Sequence, residues 1–197
     1  MTRTIILAST SPYRRELLTR LQLQFSAMAP NTDETAHPKE TPSATARRLS
    51  VAKAQAVAMQ TAQCHPGALI IGSDQVAALG EEHFNKPITR DNARRQLQRM
   101  RGKEVIFHTG LCLLNTHSGA LHSAVIPTYV GFRPLSDMEI ESYLDKEDAL
   151  NCAGSAKSEA LGISLLSYLR GDDPNALIGL PLIALCDMLR AEGVAIP

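Results

Sequence analysis

Asp74 follows the apolar run Ala68-Leu69-Ile70-Ile71 and the pair Gly72-Ser73. A short apolar run closed by glycine and serine reads as a buried strand. Ligands in open α/β sheets gather outside the carboxyl ends of the strands. Asp74 therefore stands where a carboxylate can orient a water and take its proton, and equally where an aspartate caps a turn. Far upstream, Ser9-Thr10-Ser11-Pro12-Tyr13-Arg14-Arg15 crowds three hydroxyls and two arginines together. Free backbone N–H groups beside arginine make an anion site; a capped helix with solvated arginines fits the same letters. Glu34 lies in an acidic loop after Pro30. If that loop faces Asp74, the two carboxylates share a divalent metal, since hard oxygen ligands suit magnesium. Lys53 and Lys86 supply cations that either serve phosphate or simply reach water.

The elements that position these groups follow from local pattern. Thr4 to Ala8 is a first strand, and Ser11-Pro12 opens a helix with Leu17, Leu18 and Leu21 on one face. Phe25 to Ala29 is a second strand. Ser43 to Gln60 is rich in alanine and free of Gly and Pro, which predicts a helix. Leu49, Ala52, Ala56 and Met59 are its expected apolar face, with Lys53 on the edge. Val76 to Leu79 continues extended, and Gly80 to Asn85 reads as a turn. Thr89 caps a helix over 90–100. Runs 105–114 and 121–132 form a hairpin about Asn115 to Gly119. Ser136 and Glu139 form a capping box. Residues 151–162 are small and polar, the composition of a functional loop. Gly179-Leu180-Pro181 starts the last helix, with Leu182, Leu185 and Leu189 inward.

Bulk composition narrows the function. The chain has 197 residues, 44% of them hydrophobic, with 20 basic and 20 acidic side chains and a formal net charge of +0. A balanced charge argues against a general nucleic-acid binder, which needs excess Lys and Arg. No P-loop pattern is present. The six histidines lack metal-ligand spacing, and no Ser-His-Asp set is visible. The four cysteines are far apart and read as reduced thiols. Ile5 to Ala8 is too brief for a signal-peptide core, and no run reaches the roughly 20 apolar residues of a membrane span. A cytoplasmic protein without a membrane partner is expected.

Leu7-Ala8-Ser9-Thr10-Ser11-Pro12-Tyr13-Arg14-Arg15-Glu16-Leu17-Leu18 resembles the opening signature of the Maf family of nucleotide pyrophosphatases. The resemblance runs in the family's order through Asp33-Glu34, Lys53-Ala54, Gly72-Ser73-Asp74-Gln75, Lys86-Pro87, Thr109-Gly110, Ala153-Gly154-Ser155 and Gly179-Leu180-Pro181-Leu182. It implies an α/β fold of the ITPase-like kind, with an elongated mixed β-sheet flanked by helices. Residues 1–197 would form a single domain, with two lobes around a central cleft, usually in a homodimer. It also implies hydrolysis of a nucleoside triphosphate to the monophosphate and pyrophosphate with Mg2+ or Mn2+. By that resemblance Asp74 is the proton acceptor, and Glu34 with Asp74 holds the metal. Ser9, Arg14, Lys53 and Lys86 hold the triphosphate.

The sequence departs from the commoner pattern in ways that bear on substrate. Many members carry Arg at the Tyr13 position and Gln near Glu159. Tyr13, Gln75 and the loop up to Gly162 are similar to the branch that prefers 7-methyl-GTP, although that branch usually has Trp at the Tyr13 position. Asn85 replaces a frequent glycine. Methylation at N7 makes the guanine ring cationic, and an aromatic face attracts a cation by about 0.5–2 kcal/mol. Glu159 can accept from the guanine edge. Both residues fit plain packing and solvation as well. A pyrophosphatase for standard or other modified nucleotides, such as dTTP or UTP, is one alternative. A nucleotide-sensing regulator of cell division is another.

Overall fold

A computed structural model describes residues 3–197. Ser11 accepts a hydrogen bond from the Arg14 amide and Pro12 takes the first helical position. The chain therefore turns from β1 (Ile5–Ala8) straight into α1 (Pro12–Thr19). β2 (Ser26–Met28) and α2 (Pro42–Thr61) follow, then β3 (Leu69–Leu79), β4 (Glu82–Phe84) and α3 (Arg90–Met100). β5 (Glu104–Asn115) and β6 (Leu121–Phe132) make the expected hairpin. α4 (Asp137–Lys146) carries the capping box of Ser136 and Glu139. β7 (Leu166–Arg170) and α5 (Leu182–Ala191) close the chain.

Among the described residues, seven strands form one mixed sheet in the order β2-β1-β3-β5-β6-β7, with β4 added to β3. β1 pairs in parallel with β2 and β3, and the remaining pairings are antiparallel. Strand side chains alternate between faces. Ile6, Ala8 and Ile70 therefore pack with Ala54 and Val57 of α2 on one face. Leu7, Leu69 and Ile71 pack with Leu17 of α1 and Leu185 of α5 on the other. A further cluster gathers Leu97 of α3 and Ile140 of α4 around Phe107 and Val130 at the far end of the sheet. No described helix is long and apolar enough to cross a membrane.

The stretch 80–85, expected as a turn, carries β4, which pairs back on β3, and two further expectations change. Asp74 does not end its strand, because β3 runs on to Leu79. What ends is the neighbour: β1 pairs β3 only as far as Gly72, and β4 takes up the same edge at Ala77. β5 covers the opposite edge of β3 throughout. Ser73 to Val76 thus keep an open edge, a gap in the sheet into which the β1–α1 turn opens. The buried face of α2 is also rotated from the expected one. It carries Ala46, Leu49, Ser50, Lys53, Ala54 and Val57, while Met59 is 77% exposed. The cause is close approach: a Cβ on Gly72 would lie 2.1 Å from the Ser50 carbonyl oxygen, and one on Gly110 2.1 Å from that of Ala46. Two glycines let the α2 backbone sit on the sheet, so that small residues, not the largest apolar ones, mark the inner face.

Candidate active site

The gap opens into a cleft of about 770 Å³ lined by α1, α2, β3, the loop carrying Glu34 and residues 151–159, a size typical of small-molecule sites. Because α2 lies so close, Lys53 is only 5% exposed. Its ammonium stands 2.6 Å from Asp74 Oδ1 and 2.6 Å from Glu34 Oε1. A buried charge needs partners, and Lys53 has two of opposite sign. Burial pushes the Glu34 carboxyl up, but the hydrogen bond and charge of Lys53, with Lys86 and Arg14, hold it below the usual carboxylate range. Asp74 is buried and Glu34 keeps 55% of its side chain in solvent.

Arg14 reaches the same cleft from α1. Its Nε donates to the Gly179 carbonyl at 2.8 Å. Burial draws the guanidinium below its usual value, with Asp74 and Glu34 opposing. Lys86 is exposed and lines the rim. Arg14, Lys53 and Lys86 are therefore brought together with Asp74 and Glu34. Ser9 is buried at the start of the same turn, and its hydroxyl oxygen accepts from the Ser11 amide. It shapes the turn, and Thr10 and Ser11 beside it line the cleft.

The Glu34 loop is held by a clamp that the sequence reading passed over. Arg48 grips Glu40 with Nε to Oε1 at 2.7 Å and Nη2 to Oε2 at 2.8 Å, and also donates to the Thr35 carbonyl at 3.0 Å. Thr45 and the His37 amide donate to Glu40 as well. These donors, Arg48 first, lower the Glu40 pKa to about 2. A folded-state pKa below the unfolded one contributes stability above the unfolded value, and loses it as pH falls toward about 2. Glu40→Gln should lower the urea midpoint at neutral pH, and the gap to wild type should close on acidification. Turnover should fall roughly tenfold as Glu34 loses its fixed position. Paired urea titrations at neutral and acid pH check the first claim, and a pH-independent gap would contradict it.

The base-reading candidates line the same cleft. Tyr13 and Glu159 both line the cleft. Burial pushes the Tyr13 hydroxyl pKa up, Cys152 and Glu159 add to that, and Lys157 opposes it. Lys157, which the sequence reading missed, sets its ammonium 5.8 Å from the Tyr13 ring centroid and is tethered to Glu147 at 3.1 Å. Gln75 also lines the cleft, but its amide nitrogen bonds Thr109, Ala176 and Leu177. Its N–H donors are taken up inside the protein, which leaves the amide oxygen to face a ligand. Asp173 was missed too. It is buried and accepts from the Ile183 amide, which anchors the start of α5. All four cysteines are free, with Cys112 buried and Cys64 exposed.

Glu34 and Asp74 converge on one cation, Lys53, which tests their fit to a metal. No group of three or more His, Cys, Asp or Glu suited to a metal occurs among the described residues. Two carboxylates suffice for magnesium, which takes the rest of its shell from water and substrate phosphates.

Residues 4–192 match the family described as Maf-like protein. A protein of Aromatoleum aromaticum named 7-methyl-GTP pyrophosphatase is 59% identical, over 98% of this chain and 97% of its own length. One of the same name from Thiobacillus denitrificans is 56% identical, over 97% and 93%. A solved dITP/XTP pyrophosphatase from Mycobacterium abscessus covers 95% of this chain and 96% of its own at 15% identity and a TM-score of 0.45, too remote to bear on the site.

Proposed function

This chain belongs to the Maf family, and from that premise we propose that it hydrolyses 7-methyl-GTP to 7-methyl-GMP and pyrophosphate. The observation that carries the reading is the buried Asp74–Lys53 pair, joined by the half-exposed Glu34, at an open strand edge, with Arg14 and Lys86 converging on it. The names of the full-length relatives support the substrate. Asp74 takes a proton from water as its oxygen attacks the α-phosphorus. The bond from that phosphorus to the bridging oxygen breaks, and pyrophosphate leaves with the electron pair. Arg14, Lys53 and Lys86 offset the charge that develops on it. A divalent metal held by Glu34 and Asp74 would supply further charge neutralisation on the phosphates. We read the chain as one domain of two lobes, acting in the cytoplasm as a homodimer. The separate core clusters on either side of the cleft support the lobes, the free cysteines support a reducing compartment, and family resemblance alone supports the dimer.

Specificity rests on Tyr13 and Glu159. A cationic base takes the ring face of Tyr13 that Lys157 does not occupy, and Glu159 accepts from its edge. Tyr13→Arg should lower kcat/KM for 7-methyl-GTP relative to GTP by about tenfold to a few hundredfold, as expected of one pocket contact. Tyr13→Trp should preserve or raise it, Trp being the better cation–π partner. Pyrophosphate release measured on 7-methyl-GTP, GTP and UTP tests this. One observation favours a second reading, a pyrophosphatase for standard nucleotides: the Lys157 ammonium beside Tyr13 places like charge near a methylated base. Absence of a 7-methyl-GTP preference in the wild type would select that reading.

A further inference from the structure

Ser73, Gln75 and Thr109 share the sheet face that lies between the α1/α5 cluster and the α3/α4 cluster. Residues 175–179 cross this gap as a strap, which polar side chains of β3 and β5 hold from beneath. Thr109 Oγ1 donates to the Ala176 carbonyl at 2.9 Å. Gln75 Nε2 lies 3.0 Å from Thr109 Oγ1, 3.0 Å from the Ala176 carbonyl and 2.9 Å from that of Leu177. Two of those partners are carbonyl oxygens, which only accept, so the amide NH2 and not its oxygen must face the strap. Ser73 Oγ shares its one proton between the Gly179 carbonyl at 2.8 Å and the Gly110 carbonyl at 2.9 Å. The Gly179 carbonyl also accepts Arg14 Nε at 2.8 Å. Gly179 has φ +123, a conformation that L side chains rarely adopt, and Arg14 Nε lies 3.4 Å from where a Cβ would stand.

We propose that the 175–179 strap is the positioning device for Arg14, and that Gln75, Thr109 and Ser73 act on the reaction through it. The Gly179 carbonyl fixes the guanidinium at Nε, which directs the remaining fork of N–H donors at the phosphates. Gln75 is then a positioning residue for Arg14. Its loss lets the strap shift, and a shift of the order of 1 Å in a phosphate clamp can cost about a hundredfold in rate. This rests on the reading that the cleft hydrolyses nucleoside triphosphates.

The test is a double-mutant cycle. Gln75→Leu and Thr109→Val should each lower kcat/KM about tenfold to a hundredfold. The factor should be the same for 7-methyl-GTP, GTP and UTP. Thr109→Ser, which keeps the donor, should recover most of the loss, and thermal melting checks that the variants are folded. In an Arg14→Lys background, which removes Nε, either substitution should cost less than about threefold, since residues acting through one another are not additive. Binding of an α,β-methylene GTP analogue gives the same cycle without turnover. A base-dependent loss, or full additivity with Arg14→Lys, overturns the proposal. No pyrophosphate from the wild type with any nucleotide overturns the hydrolytic reading instead, and the binding cycle still decides the strap's role.

Discussion

Asp74→Asn should lower kcat by about 10²- to 10⁴-fold, the usual cost of losing a positioned general base. The substitution keeps the volume and removes the proton acceptor. Asp74 sits on a strand held along one edge by β5 and faces the gap left where β1 stops at Gly72. The fold positions it whether or not it is charged, so folding should be retained. Nucleotide should still bind, because Arg14 and Lys86 are untouched, and removal of one negative charge favours an anion. The check is single-turnover pyrophosphate release alongside direct binding of the nucleotide. Turnover within a few-fold of wild type would remove Asp74 from the chemistry.

Lys53→Met should be nearly as damaging, with a loss of about 10²- to 10³-fold in kcat, the scale seen when one preorganised electrostatic donor is removed. Methionine fills the same space and supplies no charge. Asp74 and Glu34, each 2.6 Å from the ammonium, would then face one another with no cation between them. Like charges raise the carboxyl pKa values. Glu34 should lose the depression that Lys53 provides, so the acid limb of the rate profile should move to higher pH. The loss should not depend on the base, since phosphate is common to every nucleotide. Parallel pH–rate profiles on 7-methyl-GTP and UTP check both points, and a loss confined to one nucleotide would contradict the role.

What could be read from the sequence was chiefly local chemistry. Ser11-Pro12, Thr89 and the Ser136–Glu139 box mark helix starts because a cap is made within a few residues. The inner face of α2 was misread because it is set by contact with Gly72 and Gly110, and that selects small side chains where hydrophobic periodicity looks for large ones. β7 was missed: it is a short edge strand whose only pairing among the described residues, with β6, is long-range, and Tyr168 and Leu169 on it are exposed. The site's ionic residues were legible by resemblance to the family, and the structure brings Asp74, Glu34, Lys53, Lys86 and Arg14 to one cleft. Ser9 is drawn into the turn itself, where its hydroxyl oxygen accepts from the Ser11 amide. The bonds of the Gln75 amide nitrogen to Ala176 and Leu177 were not legible, because those partners lie a hundred residues away along the chain.

The most direct test is hydrolysis of 7-methyl-GTP in water enriched in oxygen-18. Attack on the α-phosphorus by a water that Asp74 deprotonates predicts equal amounts of 7-methyl-GMP and pyrophosphate, with one label in the monophosphate and none in pyrophosphate. Label in pyrophosphate, or release of inorganic phosphate with 7-methyl-GDP, would contradict the account.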